Sequence, residues 1–202
     1  MMDLLLRPIK ERLLAPVARA IGPRVSPMLV TLAAFAVGVG SAVLVARGAY
    51  GAGLACWIVN RLLDGLDGTL ARMHGTQSDF GGYVDIVLDF VVYAAIPIGF
   101  ALAAPTVATS LAALVLLASF FVNGASWMYL AAILERRDAG ARARHELTTI
   151  TMPDGLVAGT ETVLLYIAFF LWPERVVLLF SVMSALVVAT VCQRLVWAAR
   201  RL

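Results

Sequence analysis

Asp64, Asp67 and Arg72 fall in the stretch "DGLDGTLAR", and Asp85 and Asp89 follow in "DIVLD", within a chain of 202 residues that is 61% hydrophobic and only 14% charged. Their spacings of three and four residues set each group along one stripe of a 3.6-residue helix. Four carboxylates crowded in a low-dielectric setting repel one another, and a divalent cation resolves that conflict. All-oxygen donors suit Mg²⁺, Mn²⁺ or Ca²⁺ rather than zinc, which favours Cys and His. Arg72 offers a planar cationic fork suited to phosphate. Gly65, Gly68 and Ala71 remove bulk beside the carboxylates, although small residues also let membrane helices pack closely. Metal ligands, clearance and an arginine together describe a pocket for a pyrophosphate.

The elements that must position these groups are membrane helices. Mean hydropathy is +0.90, and a bilayer core of about 30 Å takes roughly 20 apolar residues per span. Six such stretches are expected, near 28–47, 52–73, 82–104, 106–134, 154–173 and 175–198. Met1 to Gly22 mixes leucines with Arg7, Lys10, Glu11, Arg12 and Arg19, and so reads as an amphipathic surface helix rather than a signal peptide. The expected fold is therefore an all-α polytopic membrane protein: six transmembrane helices preceded by an N-terminal amphipathic surface helix. It forms a single domain over residues 1–202, with the juxtamembrane helix at 1–22 and the bundle at 28–200. The short turn from His74 to Asp79 makes the second and third spans antiparallel neighbours, which brings both acidic stripes toward the same end.

Orientation follows from the basic residues. Arg7, Lys10, Arg12, Arg19, Arg24, Arg72, Arg136, Arg137, Arg142, Arg144, Arg194, Arg200 and Arg201 fall on one side, whereas the opposite turns hold only Arg47 and Arg175. Both termini and the acidic site are expected to face the cytoplasm, in the cytoplasmic (inner) membrane. The net charge of +3 then reflects topology and anionic membrane lipid, with no nucleic-acid partner.

The full spacing is Asp64-x2-Asp67-Gly68-x2-Ala71-Arg72-x8-Gly81-x3-Asp85-x3-Asp89. It resembles, at every fixed position, the signature of the CDP-alcohol phosphatidyltransferases. That resemblance implies an integral membrane enzyme of phospholipid synthesis that moves a phosphatidyl group from a CDP-linked lipid, usually CDP-diacylglycerol, to the hydroxyl of a small alcohol and releases CMP. It further implies Asp64, Asp67, Asp85 and Asp89 as ligands of two divalent ions, Mg²⁺ or Mn²⁺. Asp67, Gly68, Ala71, Arg72 and Gly81 would line the CDP and phosphate pocket, and Asp89 would be the catalytic general base. The family often dimerises, and Gly38, Gly40 and Ala42 offer a small-residue face for a homodimer. One departure stands at the first span: Ser26-Pro27-Met28-Leu29-Val30-Thr31 keeps Pro27 and Thr31 of a Thr-Pro-Asn-x-x-Thr pattern but carries Met28 at the Asn position.

The signature does not encode the acceptor. Arg136, Arg137, Arg142 and Arg144 either form a solvated positive-inside loop or bind a phosphorylated acceptor such as glycerol 3-phosphate or an inositol phosphate. Glu161, a further intramembrane acid, either binds a polyol or cationic alcohol or pairs with Arg61; the ion pair is favoured, because each of the two needs a partner. Asn60 fits an interhelical hydrogen bond, the four tryptophans fit packing or interface anchors, and Cys56 and Cys192 fit buried apolar fillers. A cation or proton transporter is the rival reading of intramembrane carboxylates. It is opposed by the one-sided placement of the acids beside Arg72.

Overall fold

The computed structural model describes residues 13–22, 25–137 and 159–202, which are helical almost throughout. In chain order the helices are α1 (residues 13–21), α2 (Pro27–Ala46), α3 (Tyr50–His74), α4 (Asp79–Ala103), α5 (Val107–Arg136), α6 (Gly159–Leu171) and α7 (Val176–Arg201), with a 3₁₀ turn at Pro173–Arg175 before α7. Residues 1–12 of the expected amphipathic surface helix, Arg24, Arg142, Arg144 and the opening residues 154–158 of the expected fifth span lie outside the described residues.

Local chemistry sets the boundaries. Pro27 opens α2 behind Ser26, where a missing N–H costs nothing. Helix α3 stops at Gly75, whose φ of 62° is left-handed; Thr76 N–H then closes back on Ala71 O at 3.0 Å, a C-cap that glycine adopts without a Cβ penalty. Ser78 restarts the chain as α4 by accepting the Gly81 N–H at 3.0 Å, and Thr106 caps α5 in the same way at Thr109.

Helix α2 lies against α3 and α4, α5 pairs with α7, and α6 rests on α3 and α7. Close approach of α2 and α4 depends on glycine: a Cβ on Gly99 would stand 2.6 Å from Ala42 O, and one on Gly38 2.7 Å from Val92. Gly38 and Ala42, expected on a dimer face, are thus used inside the chain, while Gly40 faces open space. The main core joins Trp57, Phe100, Tyr166, Phe169 and Phe180 across α3, α4, α6 and α7. A smaller cluster seats Ala18 of α1 on Val30, Leu66 and Leu70.

The outer surface is apolar, with Leu62, Leu102, Leu111, Leu114, Phe121, Leu178 and Leu195 all exposed. A water-soluble monomer rarely carries so continuous an apolar face; here lipid is the solvent. Among the described residues four helices are long and apolar enough to cross a membrane: α2, α4, α5 and the Pro173–Arg201 segment. The expected count was six. Helix α3 has the length, 25 residues, but Arg61, Asp64, Asp67 and Arg72 interrupt its apolar run, and α6 is described over only 13 residues.

Pro97 lies inside α4 and has no N–H to give the Tyr93 carbonyl four residues earlier. The Tyr166 hydroxyl of α6 donates to that carbonyl at 2.6 Å. A neighbouring helix thereby supplies the hydrogen bond the proline removed, as a low-dielectric setting requires.

Candidate active site

One helical turn of α3, two turns of α4 and the first half of α2 converge on one cleft. Thr31, Ala34 and Phe35 of α2, Asn60 and Asp64 of α3, and Asp85, Leu88, Asp89 and Val92 of α4 line it. Three of the four signature aspartates therefore share a wall-to-wall space. The fourth, Asp67, is buried at 5% exposure beside it, where the Thr31 hydroxyl donates to its Oδ2 at 2.6 Å. Thr31 is a retained position of the first-span pattern, and its contact explains why a hydroxyl is needed there.

Arg61 is the unexpected member. Its guanidinium meets Asp89 at two points, Nη2 to Oδ1 at 2.6 Å and Nη1 to Oδ2 at 3.2 Å. Nη1 also donates to the Tyr93 hydroxyl at 3.0 Å and lies 3.7 Å from Asp64 Oδ2. Nε donates to Asn60 Oδ1 at 2.8 Å, and Asn60 in turn donates to Ala34 O of α2 at 2.8 Å. The rings of Trp57 and Tyr93 lie 4.8 and 5.0 Å from the guanidinium carbon, within cation–π range. The expected Arg61–Glu161 pair is thus not formed: Arg61 faces Asp89 of α4, with Asp64 one turn along its own helix also within reach. Glu161 is half-buried at the start of the described part of α6.

Gly68 has a specific reason. A Cβ there would stand 3.2 Å from Arg72 Nη1, so the glycine clears the ground over which the Arg72 side chain folds; Arg72 also donates to Thr69 Oγ1 at 3.4 Å. Ala71 occupies the neighbouring turn of the same helix. Gly81 stands at the opening turn of α4, its N–H held by Ser78 and a Cβ there 3.1 Å from the Ser78 hydroxyl.

The proposed acceptor residues are not gathered in this way. Arg136 and Arg137 end α5 in exposed positions, with Arg137 donating to Leu202 O at 3.2 Å; Arg142 and Arg144 lie outside the described residues. Arg194, expected among the solvent-side basic residues, is instead buried at 6% exposure. Its Nη1 donates to Asn123 Oδ1 at 3.1 Å and Ser126 Oγ at 3.2 Å across the α5–α7 contact. Cys56 is half-buried and Cys192 exposed on the outer face, so neither fills the core.

Oxygen donors alone line the carboxylate side of the cleft, a set whose chemistry fits a hard divalent cation. Their spacing does not yet do so: among the described residues no three His, Cys, Asp or Glu side chains stand close enough to hold an ion. Asp89 is taken up by Arg61 and Asp67 by Thr31.

An all-helical membrane protein with a carboxylate cleft between two antiparallel helices is the class that fold and site define. The family model for CDP-alcohol phosphatidyltransferase matches residues 24–193, and the chain belongs to that family; it is an enzyme of this class. Inner membrane protein YnjF of Escherichia coli (strain K12) is 39% identical over 174 residues, covering 86% of this chain and 83% of the relative. Phosphatidylinositol phosphate synthase (PgsA1) of Mycobacterium tuberculosis with CDP-DAG bound superposes with a TM-score of 0.70 at 23% identity, covering 91% of this chain and 92% of that one. The same enzyme with manganese and citrate gives 0.70 at 21% identity, over 90% and 87%. At such identity the likeness is one of fold. Family membership sets the transporter reading aside.

Proposed function

We propose that the protein transfers a phosphatidyl group from CDP-diacylglycerol to the hydroxyl of a small alcohol, with release of CMP. The observation that carries this reading is the shared cleft of Asp64, Asp85 and Asp89 with Asp67 alongside. Asp89 accepts the proton of the acceptor hydroxyl; the alcohol oxygen bonds to the lipid-side phosphorus as its bond to the CMP oxygen breaks. Arg72 engages the phosphates, Gly68 and Ala71 give the nucleotide clearance, and Gly81 lines the same pocket. Asp64, Asp67, Asp85 and Asp89 would hold Mg²⁺ or Mn²⁺, two ions in the full complex. Such ions, when bound, would neutralise charge developing on the phosphoryl oxygens. The CDP-DAG-bound and manganese-containing structural neighbours support donor and metal class.

The six helices α2 to α7 are read as spans, with both termini and the cleft on the cytoplasmic side of the inner membrane. The Arg137 contact with Leu202, which puts the ends of α5 and α7 together, and the inner-membrane name of the curated relative support this placement. Burial of the site lets the acyl chains remain in lipid while the nucleotide reaches in from water. The acceptor is glycerol 3-phosphate or a polyol of inositol type, met by Arg136, Arg137, Arg142, Arg144 or Glu161. A homodimer completes the proposal, and cross-linking in native membranes that traps monomer alone would overturn it. The test of the reaction is CMP release by purified protein given CDP-diacylglycerol, Mn²⁺ or Mg²⁺ and a panel of alcohols. Alcohol-dependent CMP that is lost in Asp89→Asn is the expected result; no CMP with any alcohol, or full activity in that variant, refutes it.

A further inference from the structure

Arg61 lies outside the signature, yet its guanidinium contacts Asp64 and Asp89, two of the carboxylates that line the cleft. Its position is fixed from three helices. Asn60 anchors Nε to the α2 backbone through Ala34 O, the Trp57 and Tyr93 rings, edge-on to one another, both lie against the guanidinium, and Tyr93 itself is braced by Tyr166, which stacks on Trp57 with ring centroids 4.8 Å apart. A guanidinium so caged is not a mobile latch. It is a fixed cation set one turn from Asp64 and clamped on Asp89 by two hydrogen bonds.

We propose that Arg61 is a positioning residue for Asp89: it sets the orientation of that carboxylate and supplies its counter-charge in the free enzyme, leaving the first divalent ion to Asp64, Asp67 and Asp85. The proposal rests on the phosphatidyltransferase reading given above. Two physical effects follow. A two-point fork holds both carboxylate oxygens in a defined plane, which a lysine ammonium, as a point charge, does not reproduce. A fixed positive charge inside the cluster also opposes the approach of a cation to Asp89, strongly so where water is scarce.

The test separates charge from geometry in the full-length protein in lipid nanodiscs. Mn²⁺ binding is followed by calorimetry and electron paramagnetic resonance, alongside the kinetics of CMP release. Arg61→Met, which removes the charge, is expected to bind Mn²⁺ about tenfold more tightly or to take a second ion in the absence of substrate. Arg61→Lys, which keeps the charge, is expected to hold Mn²⁺ affinity within about threefold of wild type while kcat falls at least about tenfold and donor KM moves little. A folded Arg61→Met with unchanged Mn²⁺ binding, or an Arg61→Lys with undiminished kcat, overturns the proposal. Should Arg61→Met fail to fold, Arg61→Lys carries the test alone. Metal binding is read on the protein itself, so a panel in which no alcohol yields CMP counts against the reaction and leaves the Mn²⁺ comparison to decide the role of Arg61.

Discussion

Gly68→Ala sets stability against catalysis at a single methyl group. An alanine Cβ would stand 3.2 Å from Arg72 Nη1 and 3.9 Å from its Cζ and Nη2, where the optimum for a non-bonded carbon contact is about 3.5–4.0 Å. The neighbour that must move is the far end of a flexible side chain, so relief takes a shift of a few tenths of an ångström rather than a backbone change. Within a helix interior, alanine is favoured over glycine by roughly 0.5–1 kcal/mol. Folding stability is therefore expected to be unchanged or to rise by up to about 1 kcal/mol. Catalysis is expected to suffer, because the displaced group is the one proposed to engage the phosphates. A tenfold fall in CMP release, about 1.4 kcal/mol of lost transition-state stabilisation, is the expected scale. Thermal unfolding in detergent beside initial rates of CMP formation measures both. A lower melting temperature with proportionate loss of activity would make Gly68 a packing residue, and a fully active variant would show that Arg72 needs no cleared ground; either refutes the reasoning.

Thr31→Val removes the hydroxyl that donates to buried Asp67, and should cost about 1–3 kcal/mol in thermal unfolding while lowering the CMP release rate. Gly99→Ala drives a Cβ to 2.6 Å from the Ala42 carbonyl; an overpacking cost of about 1–3 kcal/mol is expected by the same unfolding assay. Tyr166→Phe leaves the Tyr93 carbonyl without its donor and should cost about 1–3 kcal/mol, but much less in a Pro97→Ala background, where the restored N–H bonds to that carbonyl. Chelation by EDTA should abolish CMP release, and Mn²⁺ or Mg²⁺ should restore it.

The helices were largely legible because lipid leaves little choice: a long apolar run must satisfy its backbone internally, and Gly75 and Ser78 mark the turn between α3 and α4 at residues whose conformational reasons are visible in the sequence. The acidic stripes were legible for the same reason of periodicity, since spacings of three and four give each of the two antiparallel helices one carboxylate face, and the structure turns both toward one cleft. What periodicity does not encode is the rotation of one helix against another. Whether Arg61 faced α4 or α6 depended on that angle, and so the pairing with Glu161 was expected where Asp89 is found. Arg194 is a similar case: near the chain end it counts as a solvent-side cation, and only the approach of α5 to α7 buries it against Asn123 and Ser126. Small residues misled in the same direction, because Gly38 and Ala42 serve helix contacts within one chain as readily as between two.

The polar interior of this bundle is organised by substitution of partners rather than by their sum. Pro97 withholds a donor and Tyr166 provides one; Asp89 gains a charge partner from Arg61, and Asp67 gains a hydroxyl from Thr31. Each substitution comes from a different helix, so each polar group is satisfied only when the helices are correctly docked. In a solvent without hydrogen bonds that requirement makes the packing specific, since a mis-docked helix would leave a carboxylate or a carbonyl bare at a cost of several kcal/mol. The same logic ties assembly to function. The contacts of α2 and α3 that end on Asp67 and Asp89 are at once packing contacts and contacts of the cleft, so the docking of these helices and the arrangement of the site depend on the same bonds.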